Sequence, residues 1–557
     1  MRVRLATTVA LLASAVAPAA VEAAEPIMKL ADVRPGMRCS ALSVVHGTAP
    51  SEFQVAVIDV LRGEPETIGA RILFRASGAA VDATGIGPGF SGSPIYCPDA
   101  TGVRRVAGAI SEGIGQYGNK VALATPIEEI LGVTARAPQA RKAGALLREA
   151  RPIASPLTVS GLSASVRRAL AAAARRSSTS LLAAPAGPAL PYAPYAPTPG
   201  TSIAAGISTG DITLAAIGTV TYRDGDKLWA FGHPLDAAGR RSLPLLDAYV
   251  FSVIDNPLGI DDFTTYKLAT AGRPIGELTN DGLSAIAGRI GPAPATIPLT
   301  VHARDETSGR ARTLRVRVAD ERDLDLGTGL DEVGSIAAGE AMATVLGAAP
   351  PRFTTSMCLR VLVAQRRKPL RFCQRYFEGF GPLDDLSAAF GLIDGYEFGP
   401  LGIRSVAVRM RLRPVVREAF ILAGRAPLRV SRGQRVRVRL LLQRSRAGRR
   451  QISFPYRVPR GAKTGPRILT VRGQTAGGGG LGGLEDFFVE LFGGGGGGSP
   501  VRSVGELATR IAALGSPEGV RASLKAKDKG PVVYSDKRLL IRGKTQIPLI
   551  VRGGKRD

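Results

Sequence analysis

Ser91 lies in a stretch of glycines, Gly85–Pro98, GIGPGFSGSPIYCP. Glycine on both sides lets the backbone reach positive φ and turn N–H groups toward a substrate carbonyl. A serine nucleophile needs that arrangement, because acyl transfer is accelerated mainly by donors preorganised around the developing oxyanion. The N–H groups of Gly89 and Ser91 are the donors this spacing offers. A hydroxyl at neutral pH also needs a base, usually histidine. The chain has three: His46 in the turn VVHGT, His302 in the strand pattern TVHAR, and His233 in WAFGHP. His233 stands where an apolar strand gives way to a loop, a position from which a scaffold delivers a side chain into a cleft. The competing readings are a glycine-rich turn without chemistry and a histidine that closes a buried strand end.

The serine motif is not the Gly-x-Ser-x-Gly elbow of α/β-hydrolases, because Ser93 replaces the last glycine and strands follow instead of a helix. It is closer to the Gly-x-Ser-Gly-Gly-Pro loop of chymotrypsin-like peptidases. Together with their surroundings, the two loops resemble the SpoIVB-type peptidase domain, a family of bacterial chymotrypsin-like serine peptidases. The resemblance is carried by GIGPGFSGSP, the hairpin leading to VAGAISEG, AIGTVTYRDGDKLWAFGHP, and KLATAGRPIGELTNDGLSAIAGRIG. It covers roughly residues 30–135 and 200–305 and implies Ser91 as nucleophile and His233 as general base.

The chain departs from the family twice. Its serine half precedes its histidine half, the reverse of the family order, although catalytic triads tolerate reordering along the chain. Where the family has its acid there is Arg75-Ala-Ser-Gly, and Asp82 nearby is out of register. Asp281, in TNDGLS, is taken as the group that orients His233. Asp247, in LLDAYV, is the other choice, and a Ser-His dyad backed by a main-chain carbonyl is the third.

The elements that must position these groups are mostly strands. Residues 24–139 read as short strands (FQVAVIDVL, RILFRA, a hairpin around PDATG) closed by a short helix from ATPIEEILGV. Residues 140–200, rich in Ala, Arg and Pro, read as a linker. Strands resume over 201–345, with a hairpin turn at Arg223-Asp-Gly-Asp and a helix in SIAAGEAMATVLGAA. Residues 346–403 form a connecting hairpin region. The period-two alternation of 404–473 predicts a β-sandwich. Residues 474–500 hold two glycine runs around LEDFFVELF, a flexible linker with an amphipathic insert, and 501–557 a small α+β module. The expected fold is mainly β: a chymotrypsin-like double β-barrel with permuted halves, then the sandwich and the C-terminal module.

Arg2 and Arg4, an apolar run and Val21-Glu-Ala23 have the form of a secretory signal peptide over residues 1–23. No later stretch is apolar and uninterrupted enough to span a membrane, so the mature chain is expected to be secreted or associated with the cell envelope. Four cysteines suit an oxidising compartment. Cys358 and Cys373 flank a turn in CLRVLVAQRRKPLRFC and are expected to pair, which leaves Cys39 with Cys97. Neither pair has metal-ligand spacing, and no metal or cofactor is implied.

The formal net charge is +27. Anionic cell-envelope polymers are candidate partners for such a chain. The basic residues are spread along its whole length with no interleaved aromatics, which argues against nucleic acid. The expected function is cleavage of peptide or protein substrates at a Ser-His site. The alternative is an inactive peptidase-like binding protein of the envelope. A third reading is self-cleavage within the Ala/Pro spacer near 180–200.

Overall fold

The structure is a computed structural model that describes residues 24–61, 69–114, 120–132, 150–152, 157–177, 181–183, 192–255, 265–324, 326–347, 353–377, 379–399, 401–414, 417–473, 484–492, 501–515, 519–524, 530–536 and 539–553. The expected signal peptide at 1–23 lies outside them. The chain is mainly β with barrel-like sheets.

The first sheet comprises β1 (Arg38–Ser43), β2 (Ser51–Leu61), β3 (Arg71–Ser77), β4 (Pro94–Pro98), β5 (Arg104–Ile114), β6 (Val121–Pro126) and β7 (Ala150–Pro152). Its order is β4-β1-β2-β3-β6-β5-β7, and β4 also pairs with β5. Six antiparallel strands therefore close into a barrel with no free edge, and β7 extends β5. Alternation along β2 sends Phe53, Val55 and Val57 inward, where they meet Phe74, Phe90 and Ile110.

The second sheet uses β8 (Leu157–Ser160), β9 (Leu181–Ala183) and β10 (Ser202–Gly206). After the short β11 (Ser208–Gly210) it continues with β12 (Thr213–Asp224), β13 (Lys227–Ala230), β14 (Gly239–Asp255), β15 (Thr265–Asp281) and β16 (Ile286–Ile290). The order β10-β14-β15-β16-β13-β12, with β10 also bonded to β12, closes a second six-stranded barrel, and β8 and β9 are appended to it. The two barrels meet through two apolar clusters, one of them joining Tyr96, Val106 and Ile127 of the first barrel with Tyr222 and Ala285 of the second. In the other, Val44 of the first barrel packs with Ala204, Ile217, Leu246 and Val250 of the second. Gly47 and Val250 exchange backbone hydrogen bonds of 2.8 and 3.0 Å across it.

A third sheet follows, with β17 (Thr296–Asp305), β18 (Ala311–Ala319), β19 (Thr354–Val363), β20 (Leu370–Tyr376) and β21 (Ile403–Arg413) in the order β11-β18-β17-β21-β19-β20. Helices cover its inner face: Ala164–Arg176, Leu330–Leu346, Gly381–Asp394, Leu484–Phe492 and Val504–Leu514. Beyond it, strands from residues 418–472 and 520–552 form two further sheets whose inner faces share one cluster, including Val438, Phe454, Leu469 and Ile547.

Several segments fall elsewhere than their composition suggests. The expected linker 140–200 contains helix Ala164–Arg176, because Val166, Leu170, Ala173 and Ala174 make a stripe that buries against the third sheet's core. Tyr192 and Tyr195, in the Pro-rich part, bond Asp247 and the Ser202 and Ala248 carbonyls. In the expected linker 474–500, helix Leu484–Phe492 docks through Leu484, Phe487 and Phe488. The first strand of the expected sandwich, β21, joins the third sheet, and residues 520–552 supply the strands missing from 404–473. Both expected disulfides are present, Cys39–Cys97 and Cys358–Cys373. Among the described residues no helix is long and apolar enough to cross a membrane.

Arg71 of β3 is buried with its Nε 2.9 Å from both Glu112 oxygens, and Nη1 reaches Glu129 at 3.3 Å. Removing one partner from such a pair strands the other charge in low dielectric. Arg71→Ala is therefore expected to lower stability by about 3–5 kcal/mol, read as a reduced urea midpoint at constant slope. A loss under about 1 kcal/mol would mean that Glu112 finds water or a proton instead.

Candidate functional site

The Ser91 loop leaves the first barrel just before β4 and lies against the second. Ser91 O accepts from Thr219 N at 2.9 Å, and Pro88 O accepts from Lys267 N at 2.9 Å. Two glycines make this approach possible. A Cβ on Gly92, whose φ is +88°, would stand 2.1 Å from Thr219 O and 2.4 Å from Phe231 N. A Cβ on Gly232, φ +67°, would come within 2.8 Å of Ile110 O, the carbonyl that accepts from Gly92 N at 2.8 Å. Gly92 and Gly232 thus converge on one carbonyl, and each is a single residue from Ser91 or His233. Threonines lock the contact from both sides. Thr221 of the second barrel donates to Gly92 O at 2.8 Å, and Thr125 of the first donates to Gly232 O at 2.7 Å.

His233 is 4% exposed, and its Nδ1 lies 2.6 Å from Pro234 O. A carbonyl can only accept, so Nδ1 carries a proton, which in the neutral ring is the tautomer a general base requires. Asp281, expected to orient the imidazole, has a different task. Its carboxylate accepts from Leu235 N at 2.7 Å, Asp236 N at 2.9 Å and Ala238 N at 3.2 Å. It therefore fixes the loop that follows His233, and the carbonyl backs the ring. Burial opposes the Asp281 charge, but the contact with Asp236 and these N–H bonds hold its pKa below the ordinary value. Asp236, with burial as the largest cause and its contact with Asp281 next, is raised to about 6. Asp247 is buried elsewhere, accepting from Tyr192 Oη and Arg273 N. Asp82 pairs with Lys120. His46 meets Phe251 O and His302 meets Thr313, both away from these loops.

Lys267 was not singled out by residue type, yet it is buried directly behind the serine turn. Its Nζ donates to Ser43 Oγ at 2.8 Å and to Thr219 Oγ1 at 3.2 Å and lies 4.7 Å from the centroid of the Phe90 ring, while its stem packs on Gly89. Thr219 in turn donates to Gly89 O at 2.9 Å. Ser93 Oγ is 2.8 Å from Ser43 Oγ and 2.6 Å from Phe90 O. Both relays from the ammonium therefore end on successive carbonyls, those of Gly89 and Phe90. The only hint in the sequence was a lone lysine in the apolar strand TYKLATA.

Burial with no carboxylate beside it lowers the Lys267 pKa from 10.5 to about 7. Between those values the unfolded chain holds a proton that the fold does not, so this residue makes stability rise with pH across the window. Below 7 both states are protonated and the penalty is constant. Lys267→Met removes the slope, so its stability advantage over the wild type should shrink steadily from pH 7 to 9.5 in thermal unfolding. A difference that stays flat over that range would show the amine keeping its solution pKa.

No protein-family model, no characterised protein and no solved structure matches this chain, and the site is read from its own geometry.

Proposed function

We propose that the chain is an exported serine endopeptidase with Ser91 as nucleophile and His233 as general base. Its two barrels would correspond to a chymotrypsin-like core with the serine half first, as the resemblance to the SpoIVB-type peptidase domain implies. The observation that carries the reading is the convergence of Gly92 and Gly232 on the Ile110 carbonyl, which draws the two loops together between closed barrels. The Nδ1–H bond to Pro234 O supports His233 as the base.

In this reading Nε2 takes the Ser91 proton as Oγ attacks the peptide carbonyl. The negative charge that develops on the carbonyl oxygen meets the Gly89 and Ser91 N–H groups. No partner for the Gly89 amide is found among the described residues. The imidazolium then gives its proton to the leaving amine, and water hydrolyses the acyl-enzyme by the same steps in reverse. The alternative, an inactive binding protein, is favoured by one observation: Ser91 is 0% exposed, so substrate needs the loops to part.

A fluorophosphonate probe separates the two. The proposal expects labelling of the mature protein, lost in Ser91→Ala and reduced by about 10⁴-fold in His233→Ala. Asp281→Asn, which loosens a loop instead of removing the base, should slow labelling by a smaller factor. A folded wild type that resists labelling would transfer the assignment to the binding protein.

A further inference from the structure

The outer face of the third sheet carries a density of arginine that the sequence distributes over 120 residues. Period-two alternation sends Leu299, Val301, Val316, Leu359, Val408 and Met410 into the core. The alternate positions face out, and among them stand Arg304, Arg315, Arg317, Arg360, Arg371, Arg409 and Arg411. Strand register sets them in rows. Arg304 pairs with Arg411, His302 with Arg409, and Arg360 with Arg371. Like charges directly opposite on a sheet destabilise it, and carboxylates do little to relieve them here. Among the described residues the ion pair on this face is Arg413 with Glu306, at its margin.

Between the rows runs a groove of about 630 Å³ lined by Thr300, His302, Arg304, Thr313, Arg409 and Arg411. Guanidinium forks beside threonine hydroxyls and an imidazole are donors suited to sulfate, phosphate or carboxylate oxygens. We propose that this face binds an extended anionic polysaccharide, one anionic group in the groove and its neighbours along the rows. Charge complementarity carries the choice, and what the face lacks narrows it. The outward positions of β17, β18, β19 and β21 hold no Phe, Tyr or Trp on which bases could stack, and their bulky apolar side chains, Leu362 and Ile403, are half-buried at the end of the sheet opposite Arg304 and Arg411. The proposal does not depend on Ser91 or His233.

The test uses the full mature chain and dextran sulfate, with neutral dextran as blank. Two triple variants remove the same charge: Arg304→Ser/Arg409→Ser/Arg411→Ser in the groove, and Arg435→Ser/Arg437→Ser/Arg439→Ser on an exposed strand of the C-terminal sheets. The proposal expects wild-type binding that weakens steeply with salt, a loss of at least about tenfold in the groove variant, and little change in the other. The groove variant should unfold at the same or a higher temperature, since it relieves repulsion. Equal losses in both variants would reduce the effect to net charge and overturn the site. Tighter binding to single-stranded DNA or to phosphatidylglycerol vesicles than to dextran sulfate would overturn the polysaccharide.

Discussion

The site depends on a backbone contact that leaves no room for a side chain. At Gly92 a methyl group would overlap both Thr219 O and Phe231 N, and the left-handed φ values at Gly92 and Gly232 exclude most residues in any case. Closed barrels make such a contact useful. Each has exhausted its strand edges internally, so the barrels join through apolar side-chain clusters and loop hydrogen bonds instead of strand pairing. Those at Gly92 and Gly232 hold the two loops against the opposite barrels. Phe231, at φ +72°, takes a conformation unfavourable for a residue with a side chain. The strain sits immediately before Gly232 and His233, where the second strand must turn sharply to present the ring.

Around this contact, buried polar groups are satisfied by backbone more than by opposite charge. Asp281 answers three N–H groups of one loop, and the His233 ring leans on the next residue's carbonyl. Lys267 reaches hydroxyls and the face of the Phe90 ring. Each is a way of fixing a loop from within the fold. The arrangement also explains why a carboxylate need not touch the imidazole. Tautomer and ring orientation are already set by Pro234 O, and the loop carrying that carbonyl is held by Asp281.

Local chemistry was legible in the sequence, and long-range assembly much less so. The glycine loop, the WAFGHP strand end, the hairpin at Gly225 and both cysteine pairs could be read because each depends on neighbours in sequence or on elimination among four cysteines. Asp281 was found as a residue but not in its role, because whether a carboxylate reaches a ring or the loop beneath it is decided by a few ångströms of strand register. Lys267 gave almost no signal, since one lysine in a strand normally faces solvent. The Ala/Arg segment and LEDFFVELF were read as linker from composition, although the apolar stripes on their helices match a core that is built from distant strands. The C-terminal strands were hardest, because β-sheets complete themselves with partners more than a hundred residues away.

Charge followed the same division between composition and placement. Along the chain the arginines of TLRVRVAD, MCLRVLV and VAVRMRLR look like dispersed solubilising residues. TLRVRVAD and VAVRMRLR alternate arginine with aliphatic residues, MCLRVLV places one arginine among them, and a strand sends alternate side chains to opposite faces. Once the aliphatic half is committed to the core beneath five helices, the other half must share one surface. Parallel pairing of β17 with β21 then brings Arg304 and Arg411 side by side, a juxtaposition that neither segment reveals alone. A polar or neutral residue at either position would keep the alternation and the core while avoiding the repulsion. The burial pattern therefore requires only that these positions be hydrophilic. That arginines stand opposite one another at Arg304–Arg411 and Arg360–Arg371 is a cost the fold itself does not demand, and an anion bound beside them would offset it.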